Sequence, residues 1–283
     1  MIMRSKLFIP ATRPELFAKA EASAADALSF DLEDAVAEER KDEARAILTQ
    51  YLRTPRTGSG KVMVVRVNAA GTRHFEADVE AVTAAGLDII NLPMAEEADA
   101  VALLADRIGK HAPAGAQPPR ILVNIETPLG LRRAAALAGA HPSVMGLQVG
   151  YADLLERYGM DRRDEGILSH IRTSVRLAAA EAGVAAYDGA FAAVKDTDGY
   201  RQDCLGARRH GFAGKSCIHP THIVIANEVF MPTAAEVARA RKIVAAAAGQ
   251  QGVGAFLVDG DMIDKPFLER ATAIVALADS LAS

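Results

Sequence analysis

Short apolar runs of strand-like composition recur along this chain, each followed by a segment of helical composition. That alternation restricts the fold more than any other feature. Val62-Met63-Val64-Val65 and Ile121-Leu122-Val123 are continuous rather than alternating, the pattern of parallel strands buried on both faces. Strand-like runs fall at 6–9, 27–31, 62–68, 88–92, 121–126, 144–149, 185–188 and 214–218. Helical segments fall between them at 14–24, 38–51, 77–85, 96–108, 129–138 and 165–182. Eight such runs predict an α/β fold, a (β/α)8 TIM barrel, with a doubly wound parallel sheet as the alternative that periodicity leaves open.

The last third adds to that plan. A helical pattern over 234–248 is broken at 250–254, and a short strand at 255–258 leads into the turn Asp259-Gly260-Asp261 and a helix over 266–281. The expected organisation is a barrel over 1–249 and a C-terminal hairpin/helix extension over 250–283. The extension has too little core to be an independent domain and suits a lid or an oligomer contact.

Composition removes several function classes. A chain of 283 residues buries a large core without staples, so Cys204 and Cys217 are not a disulfide framework. Lys and Arg total 32 against 36 Asp and Glu, a net charge of −4, which argues against a nucleic-acid surface. The stretch 134–152 lacks formal charge but holds His141, Pro142, Gln148 and the glycines 139, 146 and 150, unlike a membrane span. Arg13 and Glu15 follow the first apolar run at once, unlike a secretory signal. The chain reads as a cytoplasmic protein acting on a small-molecule substrate, with no nucleic-acid or membrane partner.

Polar residues crowd the ends of the strands, where a parallel barrel places its chemistry. The relevant stretches are Asp31-Leu32-Glu33-Asp34, Val65-Arg66-Val67-Asn68, Asn124-Ile125-Glu126-Thr127 and Gly150-Tyr151-Ala152-Asp153. Carboxylates there lose solvation and need a partner. Glu126 and Asp153 follow successive strands, so both reach one ion, and their hard oxygens suit Mg²⁺ or Mn²⁺. The competing reading is that each acid caps the helix it precedes. Arg66 offers a fork for a substrate carboxylate, or for a salt bridge to Asp31 or Glu33. A histidine at position 219 or 222 is expected to be structural, and no G-x-S-x-G elbow suggests a serine hydrolase.

Several motifs in order along the chain resemble the citrate lyase beta-subunit-like proteins of the HpcH/HpaI aldolase superfamily. They are Arg4-Ser5-Lys6-Leu7-Phe8-Ile9-Pro10 with Arg13-Pro14, Asp31-Leu32-Glu33-Asp34 with Lys41 and Arg45, and Val65-Arg66-Val67-Asn68. Others are Ile125-Glu126-Thr127-Pro128-Leu129-Gly130, Gly150 with Asp153-Leu154, the run Gly211 to Pro220, and the run Asp259 to Pro266. The resemblance implies a Mg²⁺-dependent (β/α)8 barrel, homotrimeric or hexameric, that cleaves or forms a carbon–carbon bond in a β-hydroxyacyl thioester such as citryl-, malyl- or citramalyl-CoA. It places Glu126 and Asp153 on the metal, Arg66 and Glu126 against the substrate, and Glu33 and Asp34 around them orienting water. Asp264, ahead of Asp261, resembles the acid that reaches a neighbouring subunit's site. Two departures are Met94, where members commonly carry lysine, and Ala152, where an acid is frequent; neither removes a predicted metal ligand. The other readings kept open are metal-assisted thioester hydrolysis, an aldolase acting on free oxo-acids, and a subunit of a larger citrate lyase complex whose thioester is carried by an acyl-carrier protein.

Overall fold

The computed structural model describes residues 2–54, 60–249 and 254–282. Contacts divide the chain into two compact units, 1–228 and 229–283.

In the first unit, eight parallel strands close in sequence order. They are β1 (Ser5–Pro10), β2 (Ala27–Asp31), β3 (Val62–Arg66), β4 (Ile89–Leu92), β5 (Arg120–Ile125), β6 (Val144–Val149), β7 (Ala185–Asp188) and β8 (Gly214–Cys217). Closure settles the choice between barrel and open sheet. Residues 62–65 of β3 and 121–123 of β5 are buried throughout, as continuous apolar runs require. Parallel pairing aligns Asp31 at the end of β2 with Arg66 at the end of β3, and Arg66 with Asn91, so these polar residues share one rim. Between β5 and β6 the register shifts at Ile121/Leu122, and Leu122 then pairs with Gly146. A Cβ at Gly146 would meet Ala185 O and Tyr187 at 3.0 Å, so a side chain there would crowd the neighbouring strand.

Burial is graded along the barrel axis. Met3, Ala27, Val62, Val64, Ile89, Leu122 and Tyr187 pack into an apolar plug drawn mostly from the starts of strands. Above it, Lys6, Ser29, Asn91, Asn124, Gln148 and Ser216 are all buried polar side chains of strand residues. Outer helices seal the sheet with one apolar stripe each; in Lys41–Arg53 the buried positions are Lys41, Ala44, Leu48 and Leu52. Two helices that the pattern did not separate from loops, Thr197–Arg209 and Pro220–Val229, complete the units after β7 and β8. Their polar or weakly amphipathic sequences hide the helical period.

The second unit places its boundary earlier than the expected 249/250. The helix Ala234–Ala248, opened by a Thr233/Glu236 capping box, packs its Ala240 and Ile243 with Val258, Ile263 and Ala271 of the hairpin and final helix. It therefore belongs with the extension rather than with the barrel. The break at 250–254 falls outside the described residues except for Gly254. The strands β9 (Phe256–Val258) and β10 (Asp261–Ile263) are antiparallel, and Asp259 and Gly260 both have positive φ, as a tight Asp-Gly hairpin turn requires. The helix Lys265–Ala282 follows. Among the described residues, no helix is long and apolar enough to cross a membrane.

Candidate active site

A cavity of 750 Å³ opens at the carboxyl ends of the strands, and its lining includes Asp31, Asp34, Arg66, Glu126, Asp153 and Arg162. This is where a (β/α)8 barrel carries its chemistry.

Glu126 directly follows β5 and is 2% exposed. It does not cap the next helix: Thr127 does, its hydroxyl accepting the Gly130 N–H at 2.9 Å. The Glu126 carboxylate instead accepts the Met94 N–H at 2.7 Å and the Asn124 amide at 3.1 Å. Met94 holds a φ of 52°, a conformation that a non-glycine residue adopts only under constraint, and this aims its N–H at Glu126. On the other side stands Gly150, where a Cβ would lie 2.4 Å from Glu126 Oε2. Burial pushes the Glu126 carboxyl up to about 7, with the Met94 N–H and Arg66 opposing and Asp153 adding to the rise. Asp153 stands in the first turn of the helix Tyr151–Leu155, makes no capping bond, and keeps its side chain one-third exposed.

Arg66 ends β3, and its fork is engaged. Nε and Nη2 donate to the two oxygens of Asp31 at 2.8 and 2.6 Å. Asp31 also accepts the backbone N–H groups of Glu33 and Ala35, so one carboxylate fixes both the arginine and the loop after β2. The Nη1 edge faces Asp34 at 3.3 Å and Glu33 at 2.6 Å, the latter without the alignment of a hydrogen bond. The salt-bridge reading of Arg66 therefore holds on both edges, to Asp31 through Nε and Nη2 and to Glu33 and Asp34 of the acidic loop through Nη1. Desolvation opposes the charge of Arg66, but its acidic neighbours raise its pKa regardless. Burial likewise pushes Glu33 up to about 8, against the pull of Arg66. Asp264 stands in the other unit, between β10 and the final helix.

Two polar groupings were not legible as site features. Asp188 at the end of β7 accepts from Lys215 (2.6 Å), Arg172 (2.9 Å) and the Tyr151 hydroxyl (2.6 Å). Asp203 meets the same lysine and Arg172, and Arg162 lies over the Tyr151 ring at 3.8 Å. This network backs the cavity wall next to Asp153. The second grouping is Lys6, buried in β1, whose Nζ donates to Gln148 Oε1. The signal for both was a charged residue inside an otherwise apolar strand or stripe: Lys6, Lys215, and Arg172 among Leu168, Ile171 and Val175. His222 is buried against Tyr200 with ring centroids 3.9 Å apart, a structural placement, and both cysteines are free and buried.

Among the described residues, no group of three or more His, Cys, Asp or Glu side chains forms a ready-made metal cage. The available donors nevertheless fit a hard divalent cation. Glu126 and Asp153 line one cavity, and Asn124 Oδ1 beside Glu126 is buried without a hydrogen-bond partner. An all-oxygen set with open positions is what Mg²⁺ takes.

A family model described as HpcH/HpaI aldolase/citrate lyase matches residues 4–220. A (3S)-malyl-CoA thioesterase of Cereibacter sphaeroides is 36% identical over 283 residues, spanning 99% of this chain and 96% of the relative. Citrate lyase subunit beta of Escherichia coli K12 is 33% identical over 282 residues, spanning 98% and 93%. The crystal structure of CitE from Mycobacterium tuberculosis in complex with magnesium, acetoacetate and coenzyme A superimposes with a TM-score of 0.77 at 35% identity, covering 97% of each chain.

Proposed function

Because this chain belongs to the HpcH/HpaI aldolase/citrate lyase family, we propose that it is a magnesium-dependent carbon–carbon lyase. It cleaves or forms a β-hydroxyacyl thioester, carried by CoA or an acyl-carrier protein, and the partners of the bond are an oxo-acid and an acyl thioester. The observation that carries this reading is a buried Glu126, seated by the Met94 N–H and Gly150, on the same cavity as Asp153 and the Arg66–Asp31 pair.

Glu126 and Asp153 hold Mg²⁺, and the same oxygens accept Mn²⁺. A cation held there would supply Lewis acidity toward the substrate hydroxyl and the oxygen on which charge develops. Arg66, braced by Asp31, presents Nη1 to the carboxylate of the oxo-acid and fixes its orientation. Asp34 and Glu33 orient water along that edge. With a carboxyl pushed to about 8, Glu33 holds or releases a proton near neutral pH, as a general base requires. In the cleavage direction the hydroxyl proton passes to the base, and the carbon–carbon bond electrons pass to the thioester α-carbon. A carboxylic acid then protonates that carbon. Asp264 of a neighbouring copy in a trimer or hexamer supplies it, and the enzyme works in the cytoplasm.

Thioester hydrolysis on the same residues is the second reading, favoured by the Cereibacter relative. Product analysis separates the two: lysis yields an oxo-acid, whereas hydrolysis yields a free hydroxy-acid. An aldolase on free oxo-acids would turn over without any thioester, and a complex subunit would need its carrier protein. Incubation of the purified chain with a panel of hydroxyacyl-CoA thioesters and Mg²⁺ should release a carbonyl product. Free hydroxy-acid alone would overturn the lyase reading.

A further inference from the structure

Among the described residues, two lysines of the barrel strands are buried, and one of the two has a counter-ion. Lys215 is held by Asp188 at 2.6 Å and Asp203 at 2.7 Å. Lys6, 2% exposed, bonds the neutral Gln148 carbonyl and, among the described residues, has no carboxylate within ion-pair distance. Its nearest acids are already engaged: Asp31 by both arms of Arg66, and Glu126 by Met94 and Asn124. A buried lysine without an anion is strongly disfavoured as a charge, and burial does lower its pKa.

Lys6 is not isolated from the cavity. Its partner Gln148 lines the cavity, as do Ser216, which pairs with Lys6 in the barrel register, and Asn124. Ser216 Oγ and Asn124 Oδ1 are both buried without a hydrogen-bond partner. The cavity's inner end therefore offers the Ser216 hydroxyl, the Gln148 amide and, directly behind them, an ammonium lacking an anion. All three donate, and a carboxylate accepts. At 750 Å³ the cavity has room for such a group beyond the Glu126–Arg66 rim.

We infer that Lys6, with Gln148 and Ser216, is a specificity-determining floor that receives a second carboxylate of the oxo-acid, so that the chain acts on a dicarboxylic rather than a monocarboxylic oxo-acid. This rests on the lyase site described above, with the first carboxylate at Arg66. The incoming carboxylate supplies the counter-charge that Lys6 lacks, and a methyl group in its place leaves Lys6 without an anion and the Ser216 hydroxyl without a partner.

Oxaloacetate and 2-oxobutyrate, which differ by a carboxylate in place of a methyl, test this by equilibrium binding to the full-length protein in saturating Mg²⁺. Wild type should prefer oxaloacetate by about 10- to 100-fold, the range for a hydrogen bond to a charged group. In Lys6→Met that ratio should fall to near one. The wild-type comparison needs no variant, so a misfolded K6M leaves the inference exposed to refutation. Equal affinity of wild type for both acids, the result of a floor filled by water, overturns the role of Lys6 and leaves the lyase reading standing. Retained selectivity in a folded K6M also overturns it. Failure of both acids to bind with Mg²⁺ overturns the lyase reading itself, and the inference with it.

Discussion

The β7–β8 side of the barrel and its β1–β6 floor use the same residue in opposite ways. On the β7–β8 side, Lys215 is locked between Asp188 and Asp203, with Arg172, Arg162 and Tyr151 satisfying the remaining oxygens. Burial works against the Lys215 charge, yet the two aspartates raise its pKa above the ordinary lysine value. At the floor, burial and the nearby Arg66 outweigh the attraction of Asp31 and Glu126 for the Lys6 charge, and its pKa moves the other way. Satisfied buried charge is architecture, since removing one member strands the others. Unsatisfied buried charge costs the fold stability and points to a ligand.

The largest effect that sharpens this contrast is Lys215→Met. It leaves Asp188 and Asp203 short of a cation and should destabilise the protein by about 3–5 kcal/mol, read from urea denaturation. A loss below about 1 kcal/mol would break the contrast. Next in size, Tyr151→Phe withdraws the hydroxyl from Asp188 while its lysine and arginine remain, and should lower stability by about 1 kcal/mol in the same assay. Smallest is Lys6→Met, which should leave stability within about 1 kcal/mol of wild type or raise it, because a buried unpaired amine is replaced by an apolar stem of similar length.

The pH dependence gives these lysines opposite signs. The folded state binds the Lys6 proton more weakly than the unfolded state does. The Lys6 contribution therefore makes stability rise with pH between its depressed pKa and the ordinary 10.5. Lys215, with a raised folded pKa, contributes stability that is complete below 10.5 and is lost as pH climbs through its folded value. Denaturation curves of wild type and K6M across the alkaline range should converge as pH approaches 10.5, if K6M begins as the more stable of the two. Parallel curves would show that Lys6 carries no shift.

The same distinction explains what the sequence made legible. Strands such as 62–65 and 121–123 were readable because parallel burial on both faces favours continuous apolar runs, and the others because each short run is followed by a helical pattern. Glu126, Asp153 and Arg66 were readable because strand ends in a barrel converge on one mouth, and the structure places all three on one cavity. The engagement of the Arg66 fork was legible only as one of two alternatives, since the choice depends on register between β2 and β3. The floor was not legible at all. Lys6 and Gln148 lie 142 positions apart, and nothing local announces that Asp31 and Glu126 are already taken. Met94 hid its role for a different reason: it acts through its N–H, which no side-chain pattern records. The early boundary of the second unit was missed because an alanine-rich helix at 234–248 suits either partner, and only the packing of Ala240 and Ile243 decides.

Everything proposed for catalysis depends on Glu126 and Asp153 holding one divalent cation, and calorimetric titration of Mg²⁺ into the substrate-free protein measures that directly. Wild type should bind one Mg²⁺ per chain at pH 8. The affinity should weaken about tenfold per unit as pH falls below about 7, where Glu126 takes up its proton. Glu126→Gln should lower the affinity by about 100-fold at pH 8, with the gap closing as pH falls below about 7, while its thermal unfolding remains cooperative. A folded Glu126→Gln protein that binds Mg²⁺ as tightly as wild type, with the same pH profile, would place the cation elsewhere and contradict the account.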